Sequence, residues 1–110
     1  VTGDWDLDFN IDIRYMPVLK KSTRPGKKYM VKFENKTVHF GATGYRDRTK
    51  IANKEERDKA VKAYKSRHKN DKLNDKMSPG ALSYYVLWGG DTISSGIAAY
   101  NKRFNESLHR

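Results

Sequence analysis

"KYMVKFENKTVHFG", residues Lys28–Gly41, decides the fold. With Asn35-Lys36 as a two-residue turn, Phe33 faces Val38, Val31 faces Phe40, and Tyr29 faces Ala42. Every one of these apolar side chains then falls on one face, while the pairs Lys32–His39 and Glu34–Thr37 fall on the other. Asn tolerates the positive φ that the favoured hairpin turn requires. The stretch therefore predicts an antiparallel hairpin over 29–33 and 37–42 with one buried face.

Downstream, the sequence reads as helices. In "NKEERDKAVKAYKSRHK", Asn53 is an N-cap and Glu56 stands three residues on, a variant of the capping box. Glu55–Lys59 and Asp58–Lys62 are spaced to pair at i, i+4. The apolar stripe is thin, with only Ala60, Val61, Tyr64 and then His68 in its row, so the helix presents a cationic side. "NDKLNDKM" is a polar loop. Ser78 caps a short helix with Pro79 in its first position, running through "ALSYYVLW" to the stop at Gly89-Gly90. A last helix opens near Asp91 or Thr92 and sets Ile93, Ile97, Tyr100 and Phe104 on one face. The expected helices span 54–69, 79–88 and 92–105. The expected core is Tyr29, Val31, Phe33, Val38, Phe40, Tyr64, Leu82, Trp88, Ile93, Ile97 and Phe104.

Upstream, "DWDLDFNIDI" alternates strictly, with Trp5, Leu7, Phe9, Ile11 and Ile13 on one face and acids on the other. It reads as a strand whose aspartates block edge-to-edge aggregation, or as an arm that adds to another protein's sheet through those five apolar residues. "RYMPVLKKSTRPGKK" follows, with Pro17, Pro25 and Gly26 among six cations, and reads as a linker. The chain thus divides into an extended arm and linker over 1–27 and a basic domain over 28–110. The fold class is α+β: a small antiparallel hairpin sheet packed against two or three helices, with an extended N-terminal arm.

The 110 residues suit a single domain with a modest core. Only 36% are hydrophobic and 33% are charged, with a mean hydropathy of −0.93, so thirteen aromatics have to supply much of the burial. The acidic start does not read as a signal peptide, and no apolar run is long enough to span a membrane. The absence of cysteine excludes a disulfide framework and a thiolate metal site. Residues 1–13 carry a net −4. The other 97 residues hold all 23 Lys and Arg against nine acids, a net +14. Such a surface is drawn to polyanions or acidic protein faces.

Catalytic equipment is sparse. His39, His68 and His109 match no zinc spacing, no serine sits in a nucleophile elbow or beside an obvious base, and most acids stand next to Lys or Arg. The expectation is a non-enzymatic protein without metal or cofactor. In "FGATGYRDRTK", Gly41-Ala42-Thr43-Gly44 is a GxxG element, but it leaves a strand rather than joining two helices as in nucleic-acid-clamping KH loops. Were 45–51 extended, Tyr45, Asp47, Thr49 and Ile51 would face inward and Arg46, Arg48 and Lys50 would form a cationic comb. Asp47 is expected to hold the turn. The candidate anion- or partner-binding residues are Arg46, Arg48 and Lys50 with Lys62, Lys65 and Lys69 of the following helix.

"KTVHFGATGYRDRT", "YKSRHK", "SYYVLW" and "NKRF" together resemble a small uncharacterised family of basic proteins from nucleocytoplasmic large DNA viruses. The matching residues are His39-Phe40-Gly41, Gly44-Tyr45 with Asp47 and Thr49, Tyr64 with Arg67-His68, Leu87-Trp88, and Asn101-Lys102-Arg103-Phe104. The likeness runs from about Lys28 to Phe104 and departs at Leu73, where an aromatic is expected. It implies a viral context and carries no activity. The expectation that follows is a minor capsid or virion-associated protein, made in the host cytoplasm and resident in the virion. It would bridge other virion proteins, capsid proteins among them, through its basic domain and arm. The alternative is a non-specific nucleic-acid-binding protein contacting phosphate backbone.

Overall fold

A computed structural model of the chain describes residues 16–110. The hairpin forms from β2 (Lys27–Lys32) and β3 (Thr37–Ala42). Its faces are as expected: Val31 and Phe40 are buried while Lys32 is exposed and His39 half-buried. Its register is not. Val31 stands opposite Val38, Tyr29 opposite Phe40, Met30 opposite His39 and Lys32 opposite Thr37, a slip of two residues from the expected pairing. A slip of two leaves every side chain on its own face, so burial cannot choose between the registers and the turn does. Glu34-Asn35 occupy the turn, the Phe33 N–H donates to the Lys36 carbonyl at 2.9 Å, and Asn35 does not use a positive φ.

The sheet has a third strand. β1 (Val18–Lys21) pairs antiparallel with β2, placing Leu19 opposite Val31 and burying it. This corrects the boundary at 27/28, because residues 18–27 belong to the domain. Pro25-Gly26 is the turn joining β1 to β2, with Gly26 at φ 85°. The expected strand in the first thirteen residues, with Trp5, Leu7, Phe9, Ile11 and Ile13, lies outside the described residues.

Three helices follow the sheet, and the second of them packs on it. α1 (Lys54–Arg67) is capped by Asn53, whose side chain accepts from the Glu56 N–H at 2.9 Å. Asp58 pairs back to Lys54 at 2.8 Å rather than forward to Lys62, and Glu55 has no ion pair with Lys59 among the described residues. α2 begins at Pro79–Leu82, capped by Ser78, and continues as a π turn over Ser83–Leu87. With more residues per turn, the arc spanned by consecutive Val86, Leu87 and Trp88 narrows, and all three are buried. α3 (Ile93–Phe104) opens with a reciprocal capping box between Thr92 and Ser95 and closes at Asn105 in the left-handed conformation. α2 and α3 approach so closely that a Cβ at Gly96 would collide with the Val86 carbonyl. No helix among the described residues is long and apolar enough to cross a membrane.

Of the expected core, Val31, Val38, Phe40, Tyr64, Leu82 and Trp88 are buried, and Tyr29, Phe33, Ile93, Ile97 and Phe104 pack half-buried against them. Tyr100 is fully buried at the centre. Its hydroxyl donates to the Lys76 carbonyl at 2.6 Å, which pins the 70–78 loop, and burial pushes its phenol well above the usual 10. Leu108 is a core residue from the tail. The Asn101 side chain grips its backbone at both N–H (2.8 Å) and carbonyl (3.0 Å). The same tail lies parallel to the start of β1, with Leu19 N–H to His109 O at 2.7 Å and His109 N–H to Pro17 O at 3.1 Å, covering that end of the sheet edge.

Tyr100→Phe keeps the ring but orphans the Lys76 carbonyl, and should cost about 1 kcal/mol in chemical denaturation. Tyr100→Ala opens a cavity and should cost about 3–5 kcal/mol. Equal losses would show that the hydroxyl, not the ring, carries the stabilisation.

Candidate functional site

Near the end of β3, Gly41 sits at φ 80°, a conformation that L side chains rarely adopt, and a Cβ there would stand 2.8 Å from Leu87 Cδ1 of α2. The chain then turns through Gly44 at φ 87°, and the Thr43 N–H bonds to the Gly26 carbonyl at 3.1 Å. Asp47 is buried, as the expected turn-holder should be. One carboxylate oxygen accepts from the Thr49 N–H at 2.9 Å and from the Thr49 hydroxyl. The other accepts from Lys28 Nζ at 2.7 Å, and the same ammonium donates to the Tyr45 carbonyl at 2.6 Å.

That carboxylate also corrects the expected comb. By capping a 3-10 turn over Arg48–Lys50 it ends the extended run, and the alternation of 45–51 is lost. Ile51 packs inward, but Tyr45 points outward and is 76% exposed. Arg48 is drawn to the far end of α2, with Nε to Asp91 at 2.7 Å and a second nitrogen to the Trp88 carbonyl at 3.2 Å. Arg57 reaches the same Asp91 oxygen at 3.2 Å. The bond from Arg48, with the charge of Arg57 behind it, holds Asp91 below the usual carboxylate range. Arg48 is therefore a strut rather than a binding residue.

The remaining candidates separate. Arg46, Lys50, Lys62, Lys65 and Lys69 are all exposed. Lys62 lies in a shallow groove with Arg48, Asp58 and Val61. Lys65 lies over the Tyr84 ring, its Nζ 5.6 Å from the centroid, in a second open groove with Tyr85, Lys102 and Arg103. Arg46 alone meets a cleft of about 540 Å3 between the loop after β3 and the C-terminal half of α1.

This cleft has an aromatic side. Trp88 and Tyr64 stack nearly parallel, 4.4 Å between centroids and 8° apart, and His68 stacks on the other face of Tyr64 at 4.3 Å. Its cations are Lys28, Arg46 and Arg67. Its two acids are engaged, Asp47 by Lys28 and Asp71 by His68 Nδ1 at 2.8 Å. Sequence reading passed over Lys28, Tyr45, Arg67 and His68 as site residues. Arg67-His68 and Tyr45 stand in the motifs that carry the family resemblance, and this was the available signal. No signal connects Lys28 to Asp47 across nineteen positions. No group of acids, histidines and cysteines able to hold a metal occurs among the described residues.

One pairing contradicts the expectation that no serine sits beside a base. Ser22 Oγ stands 2.7 Å from His39 Nδ1. The hydroxyl also accepts from the Arg24 N–H at 3.0 Å, so it is held as part of the β1–β2 turn, outside the cleft. Desolvation, with Arg24 and Lys27 nearby, holds the His39 pKa below its ordinary 6.5.

Two outcomes follow from these contacts. Asp47→Ala strands Lys28 and the Thr49 N–H and should lower stability by about 2–3 kcal/mol in denaturant melts, whereas Arg46→Ala should leave it unchanged. For His39, the folded ring binds its proton less tightly than the unfolded chain. Its effect on stability is therefore absent above the ordinary value, and stability is lost as pH falls below 6.5 toward the folded value. An NMR titration should give a midpoint below 6.5 that moves back up in Arg24→Gln.

Residues 18–68 match a protein family described only as a family of unknown function, DUF5754. The matched stretch runs from β1 through the hairpin and loop to the end of α1, and covers just under half of the chain. No curated protein sequence and no solved structure matches the chain.

Proposed function

We propose that this chain is a non-enzymatic structural protein of a large DNA virus particle, a minor capsid or virion-associated protein that bridges neighbouring components. Its basic domain docks on acidic surfaces of other virion proteins, and the apolar face of its N-terminal segment adds to a neighbour. The viral context rests on the sequence resemblance. The mode of attachment rests on one observation: Arg46, Lys50, Lys62, Lys65 and Lys69 are exposed and have no acid partner among the described residues. Cations that stabilised the fold would be paired as Arg48, Arg57 and Lys28 are. Unpaired ones keep their full charge for a partner.

Non-specific contact with nucleic-acid backbone is the second reading, favoured by the net charge of +10.

The test is where the chain resides in purified particles. It should fractionate with the shell and cross-link to capsid proteins through its lysines. Deleting residues 1–13, which spares β1, should leave the melting temperature unchanged and abolish incorporation. Co-purification with the DNA-containing core, together with duplex binding whose affinity falls steeply with salt, would replace this reading with the second one.

A further inference from the structure

We infer that the cleft between the β3–α1 loop and α1 is a binding site for a nucleotide unit, a planar base carrying a phosphate. The inference stands apart from virion docking, whose cations other than Arg46 lie outside the cleft.

Three features of the cleft point to this chemistry. Its volume of about 540 Å3 is that of a small-ligand site. Its floor is apolar and aromatic, built from Leu87, Trp88 and Tyr64, which suits a flat ring and offers little to a hydrated ion. Its rim is cationic: Arg46 and Arg67 are exposed on opposite walls, with no acid partner among the described residues. The two carboxylates within the cleft are already engaged, Asp47 by Lys28 and Thr49, and Asp71 by His68, so an incoming anion meets paired acids.

Tyr45 completes the case. It is the one large hydrophobic residue exposed among the described residues, at 76%, and it stands at the cleft beside Arg46. The Lys28 ammonium, bonded to the Tyr45 carbonyl, fixes the backbone beneath the ring. A base stacked on an aromatic ring is a sequence-tolerant contact, and an adjacent arginine takes the phosphate attached to that base. A lone phosphate would use the rim and leave floor and ring idle. A carboxylate-bearing peptide would do the same unless it also carried aromatic residues.

The same chemistry is offered by a free nucleotide and by single-stranded nucleic acid, and titration of the full-length protein separates them. The probes are adenosine 5′-monophosphate, adenosine, inorganic phosphate and a short oligothymidylate, followed by calorimetry and by amide shifts of residues 41–47 and 64–68. The monophosphate should bind more tightly than either adenosine or phosphate. Tyr45→Ala should weaken it about fivefold or more, and Arg67→Ala about tenfold or more. Lys36→Ala and Lys102→Ala, outside the cleft, should change it by less than about twofold. Tighter binding of the oligothymidylate assigns the site to single strands, and equal binding assigns it to free nucleotides. No response to any probe overturns the inference. So does phosphate binding as well as the monophosphate, or Lys36→Ala weakening binding as much as Arg67→Ala. Occupation of the cleft by a peptide of residues 1–13 in place of the monophosphate would overturn it too, by showing an acidic aromatic segment to be the ligand.

Discussion

A single aromatic ring holds the basic helix to the body of this protein. α1 has almost no apolar face, and Tyr64 is its one buried residue. Stacked on Trp88 and backed by His68, that ring is the main apolar anchor of fourteen residues that are otherwise largely charged. Arg57 adds a polar anchor through Asp91 and the Ile51 carbonyl at 3.3 Å. One wall of the cleft is therefore only as well placed as the Tyr64–Trp88 stack. The opposite wall is fixed by Asp47, which ties the loop to β2 through Lys28. Two small contacts, one aromatic and one ionic, set the width of the site.

In a chain with many more cations than acids, the few acids decide which cations become structural. Asp91 takes two arginines, and Asp47, Asp58 and Glu106 take one lysine each. What is left over is not arranged by sequence proximity. Arg46 and Arg48 are two positions apart, yet one sits at the mouth of the cleft and the other braces the end of α2. The tail follows the same logic on the polar side: Asn101 and the Lys76–Glu106 pair at 2.8 Å fasten it where apolar burial by Leu108 alone would not.

Much of the architecture was legible because local signals agreed with burial. Asn53 and Ser78 were read as N-caps and each makes its capping bond, and the last helix, placed near Asp91 or Thr92, is capped by Thr92. The hairpin faces were readable from period-two alternation, whereas the register was not, since a two-residue slip is silent to that pattern. β1 was hidden because Val18-Leu19 followed by two lysines shows no alternation; its strand exists only because β2 and the tail pair with it. The site was the least legible part. Asp47 was identified from turn chemistry, but the cationic comb assumed an extended backbone that Asp47 itself interrupts. The cleft is assembled from β2, the loop, α1 and α2, and no local pattern encodes such convergence.

The seam between β1 and the tail has a consequence for how the chain is made. Val18 and His109 are neighbours in the folded protein, yet nearly the whole described domain is synthesised between them. At ribosomal speeds of about 5–20 residues per second, the outer edge of the sheet stays unpaired for roughly five to twenty seconds after β1 emerges. During that interval the nascent sheet exposes a free strand edge, the feature through which neighbouring chains pair with one another. Lys20 and Lys21 place two cations on that open edge, and their charge opposes pairing between nascent copies before Leu108 and His109 arrive to cover its Pro17–Leu19 end.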